Sequence, residues 1–133
     1  MNKKVLILGK DRVECKNQIK REIKRLCLGG FEFFSLYCFD RLLDFILEEL
    51  KVMKTKFMIK INVFYTLNNM SIAEEVPDFL KNEIDCVDTI LVIGKHPNML
   101  EYNQLLRIAE DKGKQIIHFW VLFVWFYLLF VLK

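Results

Sequence analysis

Two short apolar runs, each closed by a glycine, constrain this chain more than anything else in it. Val5-Leu6-Ile7-Leu8 ends in Gly9, and Thr89-Ile90-Leu91-Val92-Ile93 ends in Gly94. Short unbroken runs of this kind suit strands covered on both faces, and such strands belong to parallel sheets flanked by helices.

The segments around these runs change period. From Asp11 onward, Ile19, Ile23, Leu26 and Cys27 recur at helical spacing, Lys and Arg fill the opposite side, and Gly29-Gly30 stops the helix. Phe31 to Tyr37 is aromatic and reads as a second strand. Asp40 is placed to cap a second helix ending near Lys54, with an apolar stripe of Leu42, Leu43, Ile46, Leu47 and Leu50. Phe57 to Phe64 puts Ile59, Ile61 and Val63 on one side and Lys60 and Asn62 on the other, which predicts a strand at the sheet edge. A polar connection, Thr66 to Ser71, leads to a short helix with Pro77 in its first turn and Phe79, Leu80 and Ile84 on its buried side. Tyr102, Leu105, Leu106 and Ala109 mark another helix, Gly113 ends it, and Gln115 to Phe119 begins the last strand.

Strands alternating with helices imply right-handed crossovers and a sheet with helices on both sides. The expectation is a three-layer, Rossmann-like α/β domain over residues 1–119, with a mostly parallel sheet of five strands in the order 3-2-1-4-5 and an apolar extension over 120–133. Ligands in such sheets sit outside the carboxyl ends of the strands where the winding reverses, here between Gly9 and Gly94.

Composition fits one domain. The 133 residues are 53% hydrophobic and include twelve Phe, ample for a core. The net charge of +3 arises from 20 basic and 17 acidic residues mixed along the chain, which gives no reason to expect nucleic acid as a partner. Cys15, Cys27, Cys38 and Cys86 are far apart, form no CxxC pair and have no nearby histidines to complete a zinc site, so they read as free thiols packed in the interior. With no apolar leader after Met1, a reducing cytoplasmic setting is the expectation.

The end of the chain is unusual. From Trp120 to Leu132 no polar residue intervenes before Lys133. A spanning helix needs about 20 such residues; even counted from Ile116 the stretch falls short, includes His118, and draws on residues needed for the last strand. Three readings stand: the last strand followed by a helix or strand packed on the domain or on a partner, a tail inserted in a membrane, and a tail that is not a selected feature, such as an altered reading frame.

The stretch IKREIKRLCLGGFEFFSLYCFDRLLDFILEELKVMKTKFMIKINVF, from Ile19 to Phe64, resembles the YpsA-like branch of the SLOG superfamily of Rossmann-like proteins. The shared order is a basic helix ending in glycine, an aromatic strand, a Phe-Asp pair opening a helix, a Glu-Leu-Lys, and a strand. DCVDTILVIGKHPNMLEYNQLLRIAEDKGKQIIHF, from Asp85, is similar to the closing strand, helix and strand, including Ala109 and the Gly113-Lys114 stop. The resemblance implies a fold that binds nucleotides or nucleotide-derived ligands, ADP-ribose types among them, often as a sensor. Two features depart from it. Ser35-Leu36-Tyr37-Cys38-Phe39-Asp40 is shorter than the family's connection and has no glycine, so Leu36 and Tyr37 would crowd a phosphate approaching backbone amides there. Asn98-Met99-Leu100-Glu101 stands where a Gly-Gly-Thr commonly opens the last helix.

The candidate ligand-binding residues are Gly9, Lys10, Asp11, Ser35, Asp40, Gly94, Lys95 and His96. Gly9-Lys10-Asp11 would set a backbone amide and an ammonium group beside a phosphate, although it is neither a Walker loop nor GxGxxG and a plain turn is the better reading of it. Asp40 would accept a ribose hydroxyl or simply cap its helix. Gly94-Lys95-His96 would meet an anion or form a solvated loop.

The leading function is a non-catalytic module for a small nucleotide-like ligand. One alternative is a glycosidic-bond enzyme acting on nucleosides or nucleotides, which needs a carboxylate aimed into the crevice from Asp40 or Glu101. In the nucleoside deoxyribosyltransferases, which share a related fold, that glutamate counted back from the helix stop would fall on Leu105 here. Asp85 and Asp88 lie before the fourth strand, away from the crevice, and His118 reads as a core or capping residue. Another alternative makes the apolar tail, 120–132, the functional element, holding the domain to a membrane or to a second copy of itself.

Overall fold

The computed structural model describes residues 3–10, 16–64, 78–93 and 100–118. Strands and helices alternate throughout: β1 (Lys3–Lys10), α1 (Lys16–Leu28), β2 (Phe31–Phe39), α2 (Asp40–Lys54), β3 (Lys60–Val63), α3 (Asp78–Cys86), β4 (Thr89–Ile93), α4 (Leu100–Asp111) and β5 (Gln115–His118). The five strands form one sheet in the order β3-β2-β1-β4-β5, and every neighbouring pair is parallel. The expected Rossmann-like architecture is therefore the one observed.

Side-chain alternation along the central strands builds two cores. Val5 and Ile7 of β1, Phe34, Leu36 and Cys38 of β2, and Leu91 and Ile93 of β4 share one face with Ile19, Ile23 and Leu26 of α1 and Leu42, Ile46 and Leu50 of α2. Leu6, Leu8, Tyr37, Ile90 and Val92 share the other face with Leu80 and Ile84 of α3 and Leu105 and Ala109 of α4. Each apolar run that first suggested a strand thus feeds both layers, which is why neither alternates with polar residues. At the edge, β3 alternates exposed and half-buried positions, with Ile61 and Val63 packed toward the first core.

Helix ends follow the glycines. At Gly113 (φ 72°) the Lys114 N–H donates to the Ala109 carbonyl at 3.0 Å and the Gly113 N–H to that of Glu110 at 3.0 Å, the double closure that a left-handed residue permits. Gly30 (φ 92°) ends α1 with its N–H bonded to the Cys27 carbonyl at 3.2 Å.

Four expectations need correction. Strand β3 starts at Lys60 rather than Phe57, because the Phe57 N–H turns back to the Met53 carbonyl at 2.8 Å and closes α2. Phe79 is not on the buried side of α3: it is 39% exposed and stacks on Phe64, ring centroids 5.2 Å apart, at the margin of the sheet. Cys27 and Cys38 are buried free thiols, but Cys86, at the end of α3, is exposed. The family-like connection from Ser35 to Asp40 is not a loop. Strand β2 continues through Phe39 and α2 begins at Asp40, so Leu36 and Tyr37 point into opposite cores and do not border a phosphate approach.

Asp11, where helical spacing is expected to begin, Cys15, the connection Thr66 to Ser71, Pro77 and the apolar segment from Phe119 onward lie outside the described residues. Among the described residues no helix is long and apolar enough to cross a membrane.

Candidate functional site

The winding reverses at β1. The chain leaves β1 for β2 and β3 on one side, with α1 and α2 on the first face, and then returns through α3 to β4 and β5 on the other side and face. In sheets with such a reversal, the crevice that takes ligands lies outside the carboxyl ends of the two strands concerned, here β1 and β4.

Strand register places several of the sequence-derived residues at that end. Gly9 lies level with Cys38 on one side and Ile93 on the other, and Lys10 lies level with Phe39. Asp40 follows Phe39 directly as the first residue of α2, so Gly9, Lys10 and Asp40 come to the same end of the sheet. Asp11, Gly94, Lys95 and His96 lie outside the described residues, although Gly94 follows Ile93, the strand partner of Gly9, in sequence.

Gly9 has a packing role that sequence reasoning did not anticipate. A Cβ there would overlap Leu42 Cδ2 and stand 3.0 Å from the Ile93 carbonyl oxygen. The absence of a side chain lets the first turn of α2 close down on the end of β1. On that face the space over Gly9 belongs to the protein's own leucine, so a ligand would meet the strand end rather than the flank of Gly9. The start of α2 also brings the positive end of its helix dipole to this end of the sheet.

Ser35 does not belong to this site. It lies in the interior of β2, between Leu6 of β1 and Asn62 of β3 in register, is only 3% exposed, and its hydroxyl donates to Glu83 Oε1 at 2.5 Å. Glu83 is the functional-looking carboxylate that sequence reasoning passes over. A signal for it exists: it falls three residues after Leu80 and one before Ile84, the two buried residues of α3, and so on the inward side of that helix.

Other reactive groups are committed elsewhere. Asp88 Oδ2 accepts from the Lys4 N–H at 3.0 Å while the Asp88 N–H donates to the Lys4 carbonyl at 2.9 Å, tying β1 to the start of β4 at the amino end. Asp85 pairs with Lys112 and accepts from Lys114 through its carbonyl, which links α3 to the end of α4. Cys38 donates to the Ile7 carbonyl at 3.2 Å, and complete burial pushes its thiol far above the ordinary value of 9.0, so it carries no thiolate at neutral pH. Among the described residues no group of three or more His, Cys, Asp or Glu is gathered to hold a metal ion.

In comparisons with known proteins, no family model, no curated protein and no solved structure matches this chain; the site is defined by its own topology and residues alone.

Proposed function

We propose that this domain is a non-catalytic binding module for a nucleotide or nucleotide-derived ligand, seated across the carboxyl ends of β1 and β4. The observation that carries this reading is the reversal of winding at β1 beside the start of α2. An anionic group at that place meets backbone N–H groups of a helix N-terminus, and Lys10 brings a cationic residue to the same strand end. The resemblance of the two long stretches to YpsA-like SLOG proteins points to the same ligand class. Of the acidic residues that the sequence raises, Asp85 and Asp88 are engaged in structural contacts away from the crevice, which leaves glycosidic-bond chemistry to rest on Asp40 or Glu101 alone.

The test is a thermal-shift titration of the full chain with nucleotides, nicotinamide dinucleotides, ADP-ribose and nucleosides. A ligand at 100 times its Kd adds about 2.7 kcal/mol of stability. The expected outcome is a shift with a phosphate-bearing member that is lost in Lys10→Ala. A flat response across the set, from a chain that melts cooperatively, would count against the proposal. A shift with nucleosides accompanied by their cleavage would favour the enzyme instead.

A further inference from the structure

Large apolar side chains exposed among the described residues are Leu28, Val52, Met58 and Phe79, and the first three of these belong to one end of the domain. Leu28 (66% exposed) is the last residue of α1, Val52 (52%) lies in the last turn of α2, and Met58 (95%) lies in the connection from α2 to β3. As crossovers between parallel strands, α1 and α2 run back along the same face and finish at the amino end of the sheet, where β3 begins. Lys3 Nζ donates to the Gly29 carbonyl at 3.1 Å and fixes the start of β1 to the same place.

Exposed apolar residues scattered singly are ordinary on a soluble surface; three at the ends of neighbouring segments are a patch. The charge around it is predominantly basic. Lys24, Lys51, Lys54 and Lys56 are all exposed, and none forms a salt bridge with another described residue. Of the carboxylates nearby, Glu22 is turned to Arg25 and Glu49 to Lys20, Glu48 lies a turn further from that end, and Glu32, exposed near the start of β2, is a single acid against the four lysines. Lysine at a helix end is favoured by the dipole, which accounts for Lys51 and Lys54 but not for Met58 beside them.

We infer that the amino end of the sheet docks on an anionic membrane surface, with Leu28, Val52 and Met58 entering the headgroup layer and Lys24, Lys51, Lys54 and Lys56 meeting lipid phosphates. Charge complementarity selects this occupant. A protein interface draws its binding energy from Trp, Tyr and Arg anchors and is depleted in Lys. This patch joins flexible aliphatic side chains to lysines, whose long stems let the charge follow a fluid surface.

The inference is independent of the crevice, which lies at the opposite end of the sheet. The experiment is co-sedimentation of the full chain with phosphatidylcholine vesicles, with and without phosphatidylserine. The chain is expected to bind only the anionic vesicles and to be released as salt shortens the screening length. The triple variant K51E/K54E/K56E should bind about 100-fold more weakly, and Met58→Asp should weaken binding with its melting temperature unchanged. Equal binding to neutral vesicles, or binding that survives the charge reversal, would overturn the inference and move the membrane contact to residues 120–133. Failure to sediment with either vesicle would overturn it as well.

Discussion

The two faces of the sheet are built on different rules. The face under α1 and α2 holds its helices by apolar packing: Phe34, Leu36, Leu42, Ile46 and Leu50 belong to one core, and among the described residues its hydrogen-bonded polar groups, the Cys38 thiol on the Ile7 carbonyl and Thr89 on Gln115, bond within the sheet. The face under α3 and α4 carries Tyr37 and, beside its apolar core, a buried serine bonded to a carboxylate that bridges strand and helix. The first face specifies its helices by shape, and the second by shape together with one directional contact. A face of the first kind fails through voids or overlap; one of the second kind fails through an unsatisfied partner.

Substitutions can separate these rules. The largest effect is expected for Phe34→Ala, which empties the centre of the first core and should cost about 3–5 kcal/mol in denaturant unfolding; a cost near 1 kcal/mol would mean that this face repacks freely. Gly9→Ala tests overlap on the same face. Its new methyl meets Leu42 and the Ile93 carbonyl, and a loss of about 1–3 kcal/mol is expected, with partial recovery when combined with Leu42→Ala. On the second face, Glu83→Ala leaves the Ser35 hydroxyl buried without its acceptor and should cost about 1–3 kcal/mol. The double variant with Ser35→Ala should be less damaging than the two losses added together, because removing both partners removes the unsatisfied group. Additive losses would show that the contact carries no coupling.

The smallest effect is a pH dependence. Burial raises the Cys38 thiol in the folded protein above the 9.0 of the unfolded chain, so the native state holds its proton more tightly. The stability this gives is complete below pH 9 and declines as pH rises beyond it, by at most about 1.4 kcal/mol per pH unit for one group. Cys38→Ala should flatten that alkaline decline relative to the parent chain. An identical slope in both would assign the decline to other groups.

The same contrast explains what is legible in the sequence. The first face is legible because its rule is periodicity: Ile19, Ile23 and Leu26 on α1 and Leu42, Ile46 and Leu50 on α2 announce their helices, and β1 and β4 announce themselves as buried strands. Strand order comes from alternation of the elements and the handedness of crossovers. Boundaries do not. Whether Cys38 and Phe39 extend β2 or form a turn depends on Gly9 and Lys10 being alongside to pair with them, and no local pattern encodes a neighbour about thirty residues away. Ser35 is misplaced into the crevice for the same reason, since the polar residue is visible in the sequence but its partner on α3 is not. At the site, Gly9, Lys10 and Asp40 emerge from the residues that close each strand, whereas the packing use of Gly9 appears only once Leu42 is overhead.

The junction at Phe39 and Asp40 has a mechanical consequence. A chain that passes from strand to helix with no residue between them has no connecting loop at that point to take up a displacement. Pushing α2 away from the crevice must pull on the bonds that hold β2 between β1 and β3, and Leu42 resists any push toward it. This wall is fixed on that side: a displacement of α2 is carried into the sheet as tension instead of being absorbed in a connecting loop.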